Sequence, residues 1–409
     1  MVKRAVILSC VLAALALLSL GLTLWQVVVA ARFPLHRRSA ARDFAPGITI
    51  LKPLKDCDAE THECLRSWLA QDYSGPVQFL FGVASATDPV CAVVRRLVME
   101  HPHCQAELLV CGEKPGANAK VSTLIELERR AQHEFVCVSD ADVWAPPDFL
   151  TEAVTPLRSE GVGLVNCLYR FAPARSLAMR LEAFAVNADF WSQVLQSLSL
   201  KPMDFALGAA MVMPRRQLAA IGGFGALADH LADDYQLGHQ LARHGARIEL
   251  MTTVVECRTA PMNFREVWSH QLRWARTIRS CRPVSFFLTV LHNGSVWPLL
   301  WLAAAPSRAS LVGACVCLAV RLAAGVYLER KMTVKLNAFS GWLALLKDLL
   351  QFVIWALAFT GRTITWRGVG YRVKAGGRLE RLSADTTAPL SQEETPGRES
   401  REEKKAGAA

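Results

Sequence analysis

Four apolar stretches divide the chain, and a long region of mixed polarity lies between the first and the second. The first stretch, Ala5 to Ala30, has no charged residue over more than the ~20 residues that a bilayer-spanning helix needs. The other three begin at Val284, Ser310 and Phe339. The stretches that begin at Val284 and Phe339 are the weaker ones, and interfacial or re-entrant placement is the alternative to crossing for both.

This pattern predicts a globular domain held between membrane segments. A cleaved signal peptide is the alternative for the N-terminus, but its apolar core would span only ~7–15 residues before a small-residue cleavage site. The run in this chain is longer and ends in a basic sequence. We therefore expect a transmembrane anchor at residues 1–31, a globular domain at 45–282, two to three membrane segments at 284–362 and a disordered tail at 383–409.

Basic residues beside the first membrane segment predict the orientation. The basic side chains that follow this segment are Arg32, Arg37, Arg38 and Arg42. The positive-inside tendency places them, and the globular domain that follows, in the cytoplasm of a multi-pass membrane protein. The basic stretch 361–381 favours the same side, whereas three full C-terminal crossings would place it outside. Two possibilities stay open: one segment does not cross, or the tendency fails here.

Charge and cysteine content argue against two classes of protein. The formal net charge of +10 suits basic residues that face anionic lipid headgroups. No basic-aromatic motif accompanies it, so we expect the lipid bilayer as a partner and no nucleic acid. The twelve cysteines form no C-x-x-C pair and no Cys/His metal spacing. Reduced cysteines that act as small hydrophobic residues suit a cytoplasmic domain and not a disulfide scaffold.

Strand and helix patterns alternate over residues 48–139. Apolar runs at Ile48–Lys55, Val77–Val83, Glu107–Val110 and Phe135–Ser139 predict strands, and segments of helical periodicity separate them. This alternation predicts an α/β domain with a mostly parallel sheet and helices on both faces. In such sheets ligands bind beyond the carboxyl ends of the strands.

Two carboxylates, Asp140 and Asp142, directly follow the predicted strand Phe135–Ser139. Unpaired, they would repel each other, and burial would increase that repulsion. A hard divalent cation removes the conflict, because carboxylate oxygens suit Mg²⁺ and Mn²⁺, and such a cation can hold a diphosphate. The alternative is an Asp-rich turn that caps the next helix. Asp-x-Asp alone is a common sequence and does not decide between the two.

Further polar residues lie at expected strand ends or helix starts: Asp88, Asn118, Lys120, Asp233, Asp234, Arg273 and Trp274. Each has a structural alternative. Asp88 and the pair Asp233 and Asp234 would suit helix caps, and the segment around Lys120 would suit a Gly/Pro turn. The segment that contains Arg273 and Trp274 would suit a helix on the membrane surface. We expect Asp233 to cap its helix, whereas a capping role explains Asp234 less well.

The order of these motifs resembles the GT-A-fold membrane glycosyltransferases of family 2/21, within them the ceramide glucosyltransferases and the bacterial hopanoid-associated glycosyltransferases. The resemblance extends over nearly the whole chain from "ITILKPLK" to "TWRGVGYRV". Its motifs here are Asp88 in "ATDP", the pair in "SDADV", Asp234 in "DDY", and "HQLRW" with Arg273 and Trp274. His270 departs from the family pattern, since Gln or Arg is usual at that position.

The resemblance implies roles for these residues. Asp140 and Asp142 would hold a divalent cation, Mg²⁺ or Mn²⁺. Asp88, Lys120, Asp140, Arg273 and Trp274 would bind a UDP-sugar donor. Asp234 would act as the base that takes the proton from a lipid hydroxyl in one inverting displacement. The implied reaction moves glucose or N-acetylglucosamine from a UDP-sugar to a membrane lipid.

Several alternatives remain open at this stage. The acceptor is a ceramide, a hopanoid polyol or another lipid, and no motif distinguishes the sugars. A polysaccharide synthase is a second possibility, although such enzymes usually have more crossing helices. A non-catalytic membrane scaffold is a third, although all the aspartates of the pattern are present.

Overall fold

The computed structural model describes residues 2–39, 42–174, 176–334, 340–366 and 369–382. The tail predicted to be disordered, 383–409, lies outside these residues. The first element is α1 (Val2–Arg32), a helix with no acidic residue in its first turn and with Arg32 in its last turn. Its uninterrupted apolar sequence makes it long enough to cross a bilayer.

An eight-stranded sheet forms the centre of the globular region. Its strands are β1 (Ile48–Leu54), β2 (Val77–Val83), β3 (Gln105–Val110), β4 (Phe135–Ser139), β5 (Val143–Trp144), β6 (Val162–Phe171), β7 (Ala210–Pro214) and β8 (Arg247–Cys257). They lie in the order β3-β2-β1-β4-β7-β6-β8-β5. The first four in this order are parallel, β6 and β8 are parallel, and the remaining pairings are antiparallel. The prediction of a mostly parallel sheet is confirmed.

Helices cover both faces of this sheet. They are α2 (Thr61–Leu69), α3 (Val90–Glu100), α4 (Ala119–Arg130), α5 (Phe149–Val154), α6 (Leu177–Phe184), α7 (Trp191–Leu198), α8 (Arg215–Ala220), α9 (Asp233–Arg243) and α10 (Phe264–Cys281). Successive strand residues enter opposite cores, because side chains alternate across a sheet. Leu51 and Leu80 lie in one apolar cluster, whereas Ile50 and Phe81 lie in the other. Both faces are therefore buried, as the continuous apolar strands predicted.

Four helices follow the globular region: α11 (Pro283–Leu288), α12 (Val296–Ala304), α13 (Arg308–Thr333) and α14 (Leu343–Ala358). By length and composition, α1 and α13 are able to cross a membrane. The segments 283–292 and 296–304 meet at an angle of 60°, and together they would make a third span. Helix α14 has 16 residues and is too short to be counted among the candidate spans that the described residues contain.

Helices α1 and α13 run in the same direction. Trp301 Nε1, near the end of α12, donates to Ser9 Oγ near the start of α1 at 3.1 Å. Lys331 Nζ, near the end of α13, donates to the Ala31 carbonyl near the end of α1 at 2.9 Å. Only residues 305–307 connect α12 to α13, so the start of α13 lies close to the end of α12 and therefore to the start of α1. The ends of α1 and α13 also lie together, beside the globular region.

A buried group of four charged side chains connects α13 and α14 to the globular region. Arg321 of α13 contacts Asp189 at 2.8 Å and Asp348 of α14 at 2.9 Å. Lys347 contacts Asp348 at 2.7 Å and also pairs with Asp189. Ser295 Oγ, at the bend between α11 and α12, donates to Asp348 at 2.6 Å. The charged residues that interrupt the apolar stretches of the sequence are thus paired with one another.

The basic stretch 361–381 forms a small sheet and not an extended tail. Its antiparallel strands are β9 (Thr363–Trp366), β10 (Val369–Val373) and β11 (Leu379–Arg381). The Leu231 and Leu379 amides donate to the Gly377 and Asp229 carbonyls at 3.0 and 2.7 Å. Gln236 Nε2 of α9 donates to the Gly376 carbonyl at 2.7 Å. This sheet therefore packs on the globular region, beyond the domain limit of 282 expected from the sequence.

Candidate active site

Asp140 and Asp142 lie in the turn that follows β4, at the edge of the sheet where β1, β2 and β4 end. The Asp140 amide donates to the Ala209 carbonyl at 3.3 Å, and the Asp142 carbonyl accepts from the Arg258 amide at 2.8 Å. The next helix, α5, has Asp148 at its N-cap position. The alternative in which the Asp140–Asp142 turn caps that helix is therefore wrong, and these carboxylates need another explanation.

Lys120 links this turn to the start of α9. Its ammonium lies 2.7 Å from Asp140 Oδ1 and 3.1 Å from Asp233 Oδ2. Burial by itself would lower the pKa of Lys120, but the two carboxylates outweigh burial and raise it above its usual value. Asn118 fixes the start of α4, and with it the backbone position of Lys120. Its side chain caps this helix by accepting from the Lys120 and Val121 amides at 3.0 and 3.2 Å.

The structure corrects the expectation that Asp233 caps α9. The N-cap position is Ala232, which has no side-chain cap, and Asp233 is the first helical residue. Its carboxylate contacts Lys120 instead, because that buried ammonium is a stronger partner than a backbone amide. The adjacent Asp234 Oδ1 accepts from the Tyr235 amide at 2.7 Å. Asp233 and Asp234 therefore have different partners, and the predicted cap by Asp233 is wrong.

Burial and neighbouring charges raise the pKa of two aspartates of this cluster, Asp142 and Asp234. Burial, followed by the nearby charge of Asp140, raises the pKa of Asp142 to about 6. Burial, followed by the nearby charge of Asp233, raises the pKa of Asp234 to about 6. Both shifts express the cost of several negative charges in one poorly solvated place. Binding of a cation near Asp140 and Asp142 would relieve this repulsion.

Lys52 is a site residue that the sequence analysis missed. It is completely buried in β1, and its ammonium donates to the Asp140 carbonyl at 2.6 Å and to Ser139 Oγ at 3.1 Å. The ammonium also lies 4.6 Å from the centre of the Trp68 ring. Burial lowers the pKa of Lys52 to about 8. A lysine inside an otherwise apolar strand, "ITILKPL", was the available signal, since buried lysines need a specific partner.

Asp88 connects two neighbouring loops at the same edge of the sheet. Its carboxylate oxygens accept from the Asp56 amide at 3.1 and 3.2 Å, and Oδ1 also accepts from the Val90 amide at 3.0 Å. The N-cap position of α3 is Pro89. The side chain thus joins the loop after β1 to the loop after β2, next to the turn that contains Asp140.

His270, the residue that departs from the family pattern, lies on α10 within hydrogen-bond distance of a buried carboxylate of α6. Its Nδ1 lies 2.6 Å from Oε1 of Glu182, a buried residue of α6 that also accepts from Gln271 Nε2 at 2.8 Å. The His270 ring lies 4.4 Å from the Trp274 ring. His270 therefore holds α10 against α6 and forms one side of the Trp274 environment, while Arg273 lies half-buried on the same helix.

Aromatic side chains connect Trp274 to the carboxylates. The Trp274 ring lies 6.3 Å from Phe171, which lies 6.2 Å from Tyr169 at the end of β6. Burial and then nearby charges, including that of Asp234, raise the pKa of Tyr169 well above its usual value. Tyr169, in the segment "CLYR", is a second residue whose place in the site the sequence analysis missed.

The site is suited to a cation that brings further ligands with it. The described part of the chain has no group of three or more His, Cys, Asp or Glu side chains that could hold a metal ion. Asp140 and Asp142 supply carboxylate oxygens, the donor type that Mg²⁺ and Mn²⁺ prefer. Mg²⁺ is commonly bound by one or two carboxylates together with water and substrate phosphates. The residues present fit that type of site.

Gly208 provides the space that Asp234 occupies, and this gives a test of the geometry. A Cβ atom at position 208 would lie 2.7 Å from Asp234 Oδ2. We expect Gly208→Ala to displace this carboxylate and to slow turnover on the order of 10²-fold, because misplacement by about 1 Å has effects of that size. Gly225→Ala is the matched control, since a Cβ there meets no atom within 4 Å. Parent-like turnover by Gly208→Ala in detergent would contradict the expectation that the reaction depends on the position of the Asp234 carboxylate.

Sequence comparisons relate the chain to lipid-modifying enzymes. A family model described as glycosyl transferase family 21 matches residues 10–379. Ceramide glucosyltransferase 1 of Caenorhabditis elegans is 23% identical over 245 residues, which are 60% of this chain and 52% of that protein. The ceramide glucosyltransferase of Candida albicans is 30% identical over 122 residues, 27% of this chain and 22% of that protein. The chain spans about half the length of the C. elegans relatives it matches.

A solved structure supports the fold. A mannosyltransferase from Pyrobaculum calidifontis, in complex with GDP-Man and Mn²⁺, is 21% identical and aligns with a TM-score of 0.51. The alignment covers 85% of this chain and 96% of that chain. The expectation of a GT-A fold is thereby confirmed, and the likeness extends beyond the globular region.

Proposed function

The chain belongs to glycosyl transferase family 21, and from this premise we propose that it transfers a hexose from a UDP-sugar to the hydroxyl group of a membrane lipid, as a ceramide glucosyltransferase does. The main support is the cluster of Asp140, Asp142, Asp233 and Asp234 around Lys120 at the carboxyl ends of the strands. Such a cluster combines a cation site with a separate carboxylate that is able to accept a proton.

Asp140 and Asp142 would hold a divalent cation, with Asp142 as a direct ligand. When bound, the cation would neutralise the negative charge that develops on the diphosphate leaving group. Asp88 would contact the donor nucleotide beside this turn. Lys120 and Arg273 would add positive charge on the diphosphate side, with Lys120 held in place by Asp140 and Asp233.

Asp234 would act as the general base. A pKa of about 6 leaves this carboxylate ionised at neutral pH and makes it a better proton acceptor than an ordinary aspartate. As the lipid oxygen forms its bond to the anomeric carbon, Asp234 takes the hydroxyl proton and the bond from that carbon to the diphosphate breaks. This single displacement inverts the anomeric centre. Trp274, beside His270 and Phe171, would border the position of the lipid headgroup.

We further propose a multi-pass topology with three crossings. The parallel direction of α1 and α13 requires one crossing in the opposite direction between them, and the bent pair 283–292 and 296–304 would supply it. Helix α14 would lie in the interface, since the segment that follows it contacts α10, where Arg279 donates to the Gly361 carbonyl at 2.8 Å. The cytoplasmic side would then hold the globular region, the small C-terminal sheet and the four arginines at and after the end of α1, which are Arg32, Arg37, Arg38 and Arg42.

This topology predicts opposite accessibility for two engineered cysteines. Ser307→Cys, between α12 and α13, should react with an impermeant maleimide on intact cells, whereas Lys114→Cys, in the loop after β3, should react only after lysis. Both reporters require a background without the exposed native thiols of Cys10, Cys57 and Cys315. Labelling of Lys114→Cys on intact cells would contradict the cytoplasmic assignment, and protection of Ser307→Cys would contradict three crossings.

Mass spectrometry of host lipids tests the function. Lipid extracts from cells that express the parent protein would be compared with extracts from cells that express Asp142→Ala. A lipid with one added hexose, present only with the parent, would support the proposal, and its backbone would separate a ceramide acceptor from a hopanoid polyol or glycerolipid. A ladder of longer glycans would indicate a polysaccharide synthase. Absence of any new glycolipid and of UDP release would indicate a non-catalytic scaffold.

A further inference from the structure

An apolar groove lies outside the carboxylate cluster, between three elements of different parts of the chain. It has a volume of about 400 Å³. Its lining comes from the start of α6, the start of α10 and the first half of α14, and it includes Ser176, Leu177, Leu181, Met262, Phe264 and Leu350. The volume is within the range of ligand pockets, which is ~300–1,000 Å³.

Both polar side chains that line this groove form hydrogen bonds with the backbone. Ser176 Oγ accepts from the Met179 amide and donates to the Met262 carbonyl. Asn263 caps α10 by accepting from the Glu266 amide at 3.0 Å. What remains available to an occupant is hydrocarbon surface. The chemistry of the groove therefore favours an aliphatic chain and disfavours a sugar or a nucleotide.

The groove opens where the proposed topology places the bilayer surface. Leu177 and Phe264 at its rim are 48% and 55% exposed. Leu349 and Val353 of α14, next to the groove, are each 44% exposed. Large apolar side chains that share one exposed face indicate contact with an apolar partner. Because α14 also contacts the buried charged group of the membrane helices, this face continues the membrane-facing surface of the protein.

Two short paths lead from the groove to the site. The segment 258–262 runs from the Arg258 amide, which donates to the Asp142 carbonyl at 2.8 Å, to Met262 in the groove lining. On the other side, Leu181 lines the groove and the next residue, Glu182, holds His270 beside Trp274. An amphiphile with its chain in the groove would thus have its polar end beside the carboxylate cluster.

We propose that this groove binds an acyl chain of the acceptor lipid and thereby positions its hydroxyl group at Asp234. The inference rests on the proposed lipid glycosyltransferase function and extends it by assigning the part of the protein that recognises the hydrocarbon. The chain of a membrane lipid enters the groove from bilayer hydrocarbon and not from water, so the groove contributes packing contacts and positioning of the headgroup. Turnover of the acceptor at low concentration should therefore increase with acyl chain length until the groove is filled.

Photo-crosslinking with a defined probe tests the position of the chain. The full-length protein in phosphatidylcholine nanodiscs would be irradiated with a ceramide whose acyl chain bears a diazirine, and labelled peptides would be identified by mass spectrometry. We expect label on α6, on residues 262–264 and on α14, reduced by unlabelled ceramide. A second apolar groove, lined by Phe287, Leu288, Val290, Leu291, Trp297, Phe352 and Trp355, is an internal comparison. Equal labelling of both grooves would show only general lipid contact and would overturn the inference.

A matched pair of variants tests the groove by activity. Leu350→Trp would fill it, whereas Leu349→Trp adds the same ring to the exposed face of α14 outside it. We expect Leu350→Trp to raise KM for a long-chain ceramide by on the order of tenfold, with kcat, UDP-sugar affinity and KM for a short-chain ceramide near the parent values. Leu349→Trp should resemble the parent with both acceptors.

The outcomes separate this inference from the proposed function. Transfer to ceramide with equal KM changes for both Trp variants would keep the function and reject the groove. Specific, competed label in the groove without any sugar transfer would keep the binding site and reject the function. An equal rise in KM for long and short chains would also reject the groove, since a chain-binding site must distinguish them.

Discussion

Replacing Asp234 with Asn is expected to slow sugar transfer by ~10²–10⁴-fold, the range lost with general-base assistance. The substitution keeps the size of the side chain, which fits over Gly208, but it removes the proton acceptor. Donor affinity should stay close to that of the parent, because Asp140, Asp142 and Lys120 are unchanged. The measurement is lipid turnover and UDP-sugar binding for the purified variant in detergent.

The pH dependence distinguishes a base from a structural residue. Because burial raises the pKa of Asp234 to about 6, the parent should lose activity as the pH falls through about 6 and the carboxylate becomes protonated. Asp234→Asn should lack this limb when measured at saturating divalent cation, because a bound cation would keep Asp142, whose pKa is also raised to about 6, ionised. The variant should also be at least as resistant to thermal unfolding as the parent near neutral pH, since a raised carboxyl pKa means that the charged form destabilises the folded state there.

Asp233→Asn is the natural control for this prediction. The Asn side chain is still able to accept a hydrogen bond from Lys120, so the loss of activity should be well below that of Asp234→Asn. If Asp234→Asn turns over lipid at close to the parent rate, the base assignment is wrong. If it loses donor binding as completely as Asp142→Ala does, the residue belongs to the donor site instead.

Asp142→Ala should abolish transfer, with a loss of ~10³-fold or more, because several kcal/mol of charge stabilisation depend on the cation. An excess of chelator should have the same effect on the parent. Binding of Mn²⁺, followed by electron paramagnetic resonance in the presence of UDP, should weaken in the variant, and this readout does not require turnover. Asp148→Ala is a matched control from the same loop, since Asp148 pairs with Arg38 at a distance from the cluster. Full parent activity in chelator would exclude the metal role.

Most of the sheet was predictable because its signal is local. The predicted strands Val77–Val83 and Phe135–Ser139 match β2 and β4 residue for residue. Strands buried on both faces produce continuous apolar runs bounded by polar loops, so their limits are visible in the sequence. The position of Asp140 and Asp142 at a strand end followed from the same rule.

The remaining features depend on contacts between distant parts of the chain. The partner of Asp233 is Lys120, more than a hundred positions away, so local capping preferences gave the wrong expectation. Lys52 lies inside a strand that the sequence predicted, but its role depends on its contact with the Asp140 carbonyl, 88 positions away. The small C-terminal sheet is basic and short, and its stability comes from docking on the loop near Leu231, which no periodicity reveals.

The buried charged group has a consequence for how the protein is made. With α13 crossing the membrane as proposed, Arg321 at the middle of this apolar helix would oppose insertion by ~2.5–3.5 kcal/mol if the helix entered the bilayer alone. One of its partners, Asp189, is synthesised earlier and lies in the globular region, while the other, Asp348, leaves the ribosome later. In the proposed topology, helix α13 would gain its full stability in the membrane only after the region before it has folded and the segment after it has emerged. Completion of the membrane part and folding of the globular region would then be coupled events in biogenesis.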